Sequence, residues 1–311
     1  MTPVLGLDTS NYTTSAALFD GQTGENAGRL LDVRPGELGL RQSDALFQHV
    51  KRLPALLEGL LRDRRDIRAV GASTRPRAVE GSYMPCFLAG ESQGRGIATA
   101  LNVPFFCHSH QQGHLAAAAW SAGRMDLLDA PFLAWHLSGG TTELLLVRPE
   151  GWTVAAEIIG GTSDLSAGQL IDRTGVLLGL QFPAGKALDE MYAQADACYE
   201  PRVKLRELTF SLSGMENQVK ALAAEGEKPA NIARFAIDAV SNVVWRATHE
   251  AQRRYPGLPV LCSGGVASNS QLRSGLTNIY GAIFAQPKYS TDNAMGTAIL
   301  TWRGLKAEER P

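Results

Sequence analysis

Two stretches far apart in the chain repeat one pattern, and that repeat constrains the fold more than any other feature. Leu5–Phe19 reads LGLDTSNYTTSAALF and Ala134–Val147 reads AWHLSGGTTELLLV. Each passes from an apolar strand through a polar turn of small residues, then past a Thr-Thr pair into a second apolar strand. Chance likeness between two hairpins is the competing explanation. Duplication predicts an α/β protein of two similar lobes, 1–129 and 130–311, with a cleft between them. The length of 311 residues suits one large or two medium domains.

With 44% hydrophobic and 20% charged residues the chain can bury a proper core, which excludes disorder, collagen and coiled coil. Its 32 glycines predict several turns where the backbone approaches something closely. Thirty basic residues against 31 acidic ones leave a net charge of −1, so any nucleic-acid contact must come from a local patch. Cys86, Cys107, Cys198 and Cys262 form no C-x-x-C pair. They fit neither a zinc ribbon nor a disulfide framework and are expected to be buried, reduced thiols. The first residues, MTPVLGLDTS, carry no basic leader, and no apolar run approaches the ~20 residues that span a bilayer. The expectation is a cytoplasmic protein without a membrane partner.

Hydrophobic spacing predicts helices over Asp44–Leu61, interrupted by Pro54, and over Pro85–Leu101, Ser166–Leu178, Lys186–Ala195 and Ile232–Arg254. Strands are expected at Val4–Asp8, Thr13–Phe19, Ala69–Ser73, Pro104–Cys107, Phe132–Leu137, Thr142–Val147 and Val260–Cys262. Ser268-Asn269 reads as a helix cap, Thr291–Trp302 as a last helix with Asp292 in its first turn, and Lys306–Pro311 as a frayed tail.

The sharpest local feature is His110-Gln111-Gln112-Gly113-His114, which opens an alanine-rich run. On a helix the two imidazoles share one face, a spacing that suits two ligands of one divalent metal. Ordinary surface or capping histidines fit the spacing too. A zinc protease would need Glu as general base at position 111, and the amide of Gln111 cannot take the proton.

Three apolar strands end in small-residue turns: Asp8-Thr9-Ser10, Ser138-Gly139-Gly140 and Ser263-Gly264-Gly265. Such turns let backbone N–H groups face phosphate oxygens, as a nucleotide between two repeated lobes would require. Neither the P-loop nor the dinucleotide fingerprint is present. Asp172 and Asp189 lie in helical patterns near glycines and read either as solvated carboxylates or as ribose-hydroxyl acceptors. His108 and His136 read as core histidines, Leu61–Asp66 as a solvated helix end, and Arg75-Pro76-Arg77 as a loop delivered by a strand.

In order, DTS at 8–10, HxxxH at 110–114, SGG at 138–140, SAGQLID at 166–172, FPAGKALD at 182–189, FSLSG at 210–214, SGGVASN at 263–269 and STDNA at 290–294 resemble one family. It is the catalytic subunit of tRNA threonylcarbamoyladenosine synthase, formerly labelled a sialoglycoprotein endopeptidase (peptidase M22). That family is related to hydrogenase-maturation carbamoyltransferases and to the actin/heat-shock ATPase/sugar-kinase superfamily. The resemblance spans essentially the whole chain and implies ribonuclease-H-like lobes.

Residue by residue, it implies that His110, His114 and Asp292 ligate a divalent iron or zinc. Ser138, Gly139 and Gly140 would cradle phosphate, as part of an adenine-nucleotide site with Asp8, Thr9 and Ser10. Asp172, Gly185 and Asp189 would lie on the ribose side, and Gly264, Gly265 and Asn269 around the nucleoside. The implied reaction moves a threonylcarbamoyl group from an adenylate to a tRNA adenosine. Nucleotide, tRNA and a related subunit in a homo- or heterodimer are the implied partners. The chain departs from the family pattern at Asn11-Tyr12, in place of an acidic pair, and at Thr141, in place of His. Arg75-Pro76-Arg77, followed by Ala78-Val79-Glu80, stands in place of a Gly-Pro-Gly loop. These departures favour altered substrate handling. The alternative is a carbamoyltransferase or nucleotide-binding ATPase on the same scaffold with a non-tRNA acceptor.

Overall fold

The structure, a computed structural model, describes residues 2–10, 12–33, 40–62 and 66–309. Asn11, residues 63–65 of the arginine-rich helix end and residues 310–311 of the tail lie outside the described residues. The chain divides into two compact units. Met1–Ala130, Arg148–Ala156 and Lys288–Pro311 form the first, and Pro131–Val147 and Glu157–Pro287 the second.

The first unit runs Val4–Asp8 (β1), Thr13–Phe19 (β2), Gly24–Leu30 (β3), Gln42–Leu61 (α1), Val70–Arg75 (β4), Leu88–Leu101 (α2), Phe105–Ser109 (β5) and His110–Ser121 (α3). Its sheet has the order β3-β2-β1-β4-β5. The first three strands form an antiparallel meander, and β4 and β5 continue parallel to β1.

The second unit holds Phe132–Leu137 (β6), most of Thr142–Glu150 (β7) and of Thr153–Thr162 (β8), whose adjoining ends within 148–156 belong to the first, and Ala167–Leu177 (α4), Gly185–Tyr192 (α5), Leu205–Arg206 (β9), Thr209–Phe210 (β10), Ser213–Ala224 (α6), Pro229–Arg254 (α7), Val260–Ser263 (β11), Ser270–Tyr280 (α8) and Ile283–Phe284 (β12). Its sheet has the order β12-β11-β6-β7-β8-β10-β9. Here too a hairpin, β6 with β7, is continued by two strands parallel to its first member, β11 and β12. From β8 to β12 the strand order reproduces that of the first sheet, and β10 and β9 extend it. The repeat read from two hairpins therefore extends to whole sheets.

Alternation along β1 separates two packing jobs. Leu5 and Leu7 join Leu53, Leu57 and Leu60 of α1 in a buried cluster. Gly6, facing the other way, meets the last helix, Met295–Glu308 (α9). A Cβ at Gly6 would lie 2.4 Å from the Ala298 nitrogen, and one at its strand neighbour Gly71 would lie 1.9 Å from Thr301 Oγ1. The two glycines give bare backbone on which α9 lies directly. The core of the second unit is built on β6, where Trp135 is fully buried among residues of α7 and donates to Thr248 Oγ1 at 2.9 Å.

Several expectations change. The chain leaves the first unit at Ala130, close to the predicted boundary, but 148–156 and 288–311 return to it, so Asp292 belongs with α3. Asp292 also precedes α9 instead of sitting in its first turn. Asn293 Oδ1 accepts from Met295 N at 3.0 Å and Asn293 Nδ2 donates to the Thr291 carbonyl at 2.7 Å, which holds 291–294 as a loop. Pro54 lies inside an unbroken α1, on the exposed face where the carbonyl it leaves unpaired can meet water. Pro85–Phe87 is a separate 3₁₀ turn before α2, and α9 runs on to Glu308 through the first half of the supposed tail. Cys86 and Cys262 are buried, but Cys107 and Cys198 are exposed. The strands β3 and β8 and the helix α6 had no distinct pattern. Among the described residues no helix is long and apolar enough to cross a membrane.

Candidate metal centre and glycine turns

Parallel strands deliver their carboxyl ends to one edge of a sheet, and the candidate residues of the first unit lie there. β1 ends at Asp8, β4 at Arg75, and β5 runs straight into His110 at the start of α3. Ser109 caps that helix: its hydroxyl accepts from Gln112 N at 3.2 Å, and Gln112 Oε1 accepts from Ser109 N at 2.9 Å. The cap fixes the first turn and with it the direction of both imidazoles.

The structure brings His110, His114 and Asp292 together, with one ligand atom from each within 4.8 Å of the others. The two Nε2 atoms stand 2.9 Å apart, and Asp292 Oδ1 lies 3.5 Å from that of His110 and 3.4 Å from that of His114. Donors about 2.1 Å from one ion stand about 3.0 Å apart when adjacent in an octahedron and about 3.4 Å apart in a tetrahedron. The spacing thus fits a single first-row divalent ion, and two imidazoles with a carboxylate are a donor set for iron, zinc or manganese.

Two glycines permit this convergence. α3 crosses α9 where Gly113 meets Gly296, and a Cβ on Gly296 would fall 1.7 Å from the Gly113 carbonyl oxygen. Gly113 sits inside the HxxxH run, so the same turn supplies both the ligands and the close approach.

The electrostatics call for positive charge. Burial opposes protonation of His110, yet the carboxylates of Asp8 and Asp292 outweigh it and raise its pKa to about 10. Asp292 is pushed up by burial and pulled down more strongly by the two imidazoles, which leaves it well below the ordinary carboxylate range. Asp8, fully buried, is lowered in the same way by His110. A site that draws a proton so strongly between two carboxylates also suits a cation.

Asp8, Thr9 and Ser10 each have a distinct place within the first unit. Asp8 Oδ2 lies 2.9 Å from His110 Nδ1, and Oδ1 accepts from Ser10 N at 3.0 Å. Thr9 Oγ1 donates to the Cys86 carbonyl at 3.0 Å and accepts from Gly90 N at 3.1 Å, fastening the start of α2. Ser10 Oγ is buried without a hydrogen-bond partner among the described residues. The Pro76 carbonyl accepts from Gln111 N at 3.0 Å, so the Arg75-Pro76-Arg77 loop is tied to the first turn of α3.

The remaining candidates lie in the second unit. Its two SGG turns follow neighbouring parallel strands, with His136 opposite Ser263 in register. Ser166 Oγ, which caps α4, donates to the Gly139 carbonyl at 2.7 Å, and Gly168 packs so closely on Gly139 that a Cβ would lie 2.5 Å from its Cα. The α4 N-terminus therefore rests on the Ser138-Gly139-Gly140 turn. Around Gly139, Gly140 and Gly265 the Cβ positions meet nothing within 4 Å. Gly264, at φ +95°, would place a Cβ 2.1 Å from the Leu137 carbonyl, so packing between strands already requires glycine there.

Asp172 Oδ1 accepts from Ala184 N at 2.8 Å, just before Gly185 opens α5. Asp189 is not a free carboxylate. It accepts from Asn269 Nδ2 at 2.8 Å, Ser270 N at 3.0 Å and Ser270 Oγ at 2.8 Å, while Asn269 Oδ1 caps α8 through Leu272 N at 3.0 Å. His108 is a buried core residue bonded to Thr301 Oγ1 at 3.0 Å, and His136 is half-buried, 3.4 Å from Ser263 Oγ. Sequence reading missed the Asp8–His110 contact, whose signal was an acid ending β1, and the Gly113–Gly296 crossing, whose signal was a glycine within the HxxxH run and another two residues beyond STDNA.

The family model for TsaD, described as tRNA N6-adenosine threonylcarbamoyltransferase, matches residues 39–299. Among solved structures, component A of (R)-2-hydroxyglutaryl-CoA dehydratase from Acidaminococcus fermentans is 16% identical, with TM-score 0.56 over 99% of this chain and 100% of that one. Full-length HypF in a phosphate- and nucleotide-bound form is 14% identical, with TM-score 0.63 over 97% of this chain and 46% of that one. A ROK family glucokinase from Streptomyces griseus, in complex with glucose and AMPPNP, is 11% identical, with TM-score 0.51 over 97% of this chain and all of that one. At these identities the likeness is one of fold, that of the actin/heat-shock ATPase/sugar-kinase proteins.

Proposed function

Because the chain belongs to the TsaD family of tRNA N6-adenosine threonylcarbamoyltransferases, we propose that it moves a threonylcarbamoyl group from an adenylate donor to a tRNA adenosine, using a divalent ion held by His110, His114 and Asp292. The observation that carries this reading is the convergence of those three side chains from α3 and from the loop before α9. The exocyclic amine of the adenosine would bond to the carbamoyl carbon as the bond to the phosphate oxygen breaks, with AMP leaving and the amine proton passing to solvent. When bound, the ion supplies Lewis acidity toward the oxygens of the donor.

The two imidazoles and the carboxylate hold that charge in place, and no side-chain nucleophile is needed. In the second unit, the open faces of Gly139 and Gly140 beside the capped α4 N-terminus suit a phosphate group, because backbone N–H groups and the helix dipole both favour an anion. The nucleotide-bound HypF structure and the AMPPNP-bound glucokinase structure, which share this fold, support a nucleotide here. A tRNA acceptor would put the work of the protein in the cytoplasm.

The test is nucleoside analysis of tRNA from cells that lack this gene and hold no other copy of it. Loss of threonylcarbamoyladenosine is expected. Unchanged modification would remove tRNA as the acceptor and leave the alternative of a related carbamoyltransferase or ATPase with another substrate, which the tethered Arg75-Pro76-Arg77 loop would then favour.

A further inference from the structure

The geometry points to Asp8 as a positioning residue of the metal centre: its carboxylate orients His110 and fixes which ring nitrogen is presented to the ion. This rests on the metal site proposed above. Asp8 ends β1 on the strand face opposite Leu5 and Leu7, the face covered by α9, and is 1% exposed. Its Oδ2 lies 2.9 Å from His110 Nδ1, while His110 Nε2 is the atom that meets His114 Nε2 at 2.9 Å and Asp292 Oδ1 at 3.5 Å. A carboxylate on Nδ1 selects the tautomer with its hydrogen there. The lone pair then stays on Nε2, where the other two ligand atoms converge.

The carboxylate is itself held on its other side. Oδ1 accepts from Ser10 N at 3.0 Å, and the Asp8 carbonyl accepts from Ser15 Oγ at 3.1 Å on the neighbouring strand. Burying a charged group in the centre of a sheet is costly unless it is paired, and His110 is its ionisable partner. A purely structural carboxylate would have no need to meet the ring nitrogen that faces away from the other ligand atoms. The charge on Asp8 also makes the imidazole a stronger donor to a metal, which an uncharged acceptor at the same place would do less well.

Cobalt(II) titration of the full chain, followed in the visible d–d bands and by competition with a chromophoric chelator, separates orientation from charge. Asp8→Ala is expected to weaken cobalt binding about 10- to 100-fold. Asp8→Asn keeps an acceptor for the Nδ1 hydrogen and loses the charge, so it is expected to fall between and to shift the bands. If Asp8→Ala fails to fold, the comparison of Asp8→Asn with the parent decides alone. Affinity within twofold of the parent together with unmoved bands in Asp8→Asn overturns the proposal, even if its melting temperature drops, because a merely structural role predicts that pattern. A parent chain that binds no cobalt overturns the metal reading itself, and with it this inference.

Discussion

His49 and His108 are buried imidazoles whose environments make the fold sensitive to acid. Burial is the main cause in both: it lowers His49 to about 4, helped by Arg52 and opposed by Asp8, and His108 to about 3, helped by Arg75. Thr14 Oγ1 stands 2.8 Å from His49 Nδ1, and Thr301 Oγ1 3.0 Å from His108 Nε2. Both titrate near 6.5 when unfolded. Between that value and their folded values the unfolded chain binds more protons, so stability is present above about pH 6.5 and drains away as pH falls. The loss by pH 5 is about 2 kcal/mol for each ring. Urea midpoints at pH 7 and pH 5 check this, with a smaller drop expected in His108→Asn than in the parent. Sequence identified His108 as a core residue, since it lies on an apolar strand. His49 lay within a helical pattern that does not reveal which polar positions face inward.

The docking of the last helix in the first unit depends on glycine. The composition pointed to glycine in tight turns, yet Gly6, Gly71, Gly113 and Gly296 serve to bring α9 against β1, β4 and α3. Gly296→Ala would push α9 from α3, because its methyl group would fall 1.7 Å from the Gly113 carbonyl. The expected cost is about 3 kcal/mol, read as a lower melting temperature. Metal affinity should drop with it, since the loop carrying Asp292 leads into α9. Gly59→Ala on α1 is the control, with nothing within 4 Å of the added atom, and is expected to raise stability by about 0.5–1 kcal/mol. Most helix centres were legible from spacing. Where α9 docks was not, because no one-dimensional pattern states that a C-terminal helix returns to the first sheet.

Duplication was the most legible property of the whole chain, because two hairpins at the start of equivalent sheets carry the same alternation and the same turn chemistry. The family resemblance reached the architecture through ordered motifs, and the family match over residues 39–299 agrees with it. The division of labour between the units was less legible. All three proposed metal ligands lie in the first unit, although Asp292 stands far from the two histidines in sequence, and all the SGG-turn candidates lie in the second. Spacing could show His110 and His114 on one helix face. The family resemblance supplied residue 292 as the third ligand, and the carboxylate of residue 8 behind them was visible only in the fold.

X-ray absorption at the edge of a bound iron or zinc ion reads that ligand set in the intact protein. For the parent chain loaded with one equivalent, a first shell of imidazole nitrogen and carboxylate oxygen at about 2.0–2.2 Å is expected. The multiple-scattering signature of two histidine rings should accompany it and fall to one ring in His114→Ala. A shell of oxygen alone, a sulfur ligand, or a spectrum that His114→Ala leaves unchanged would contradict it.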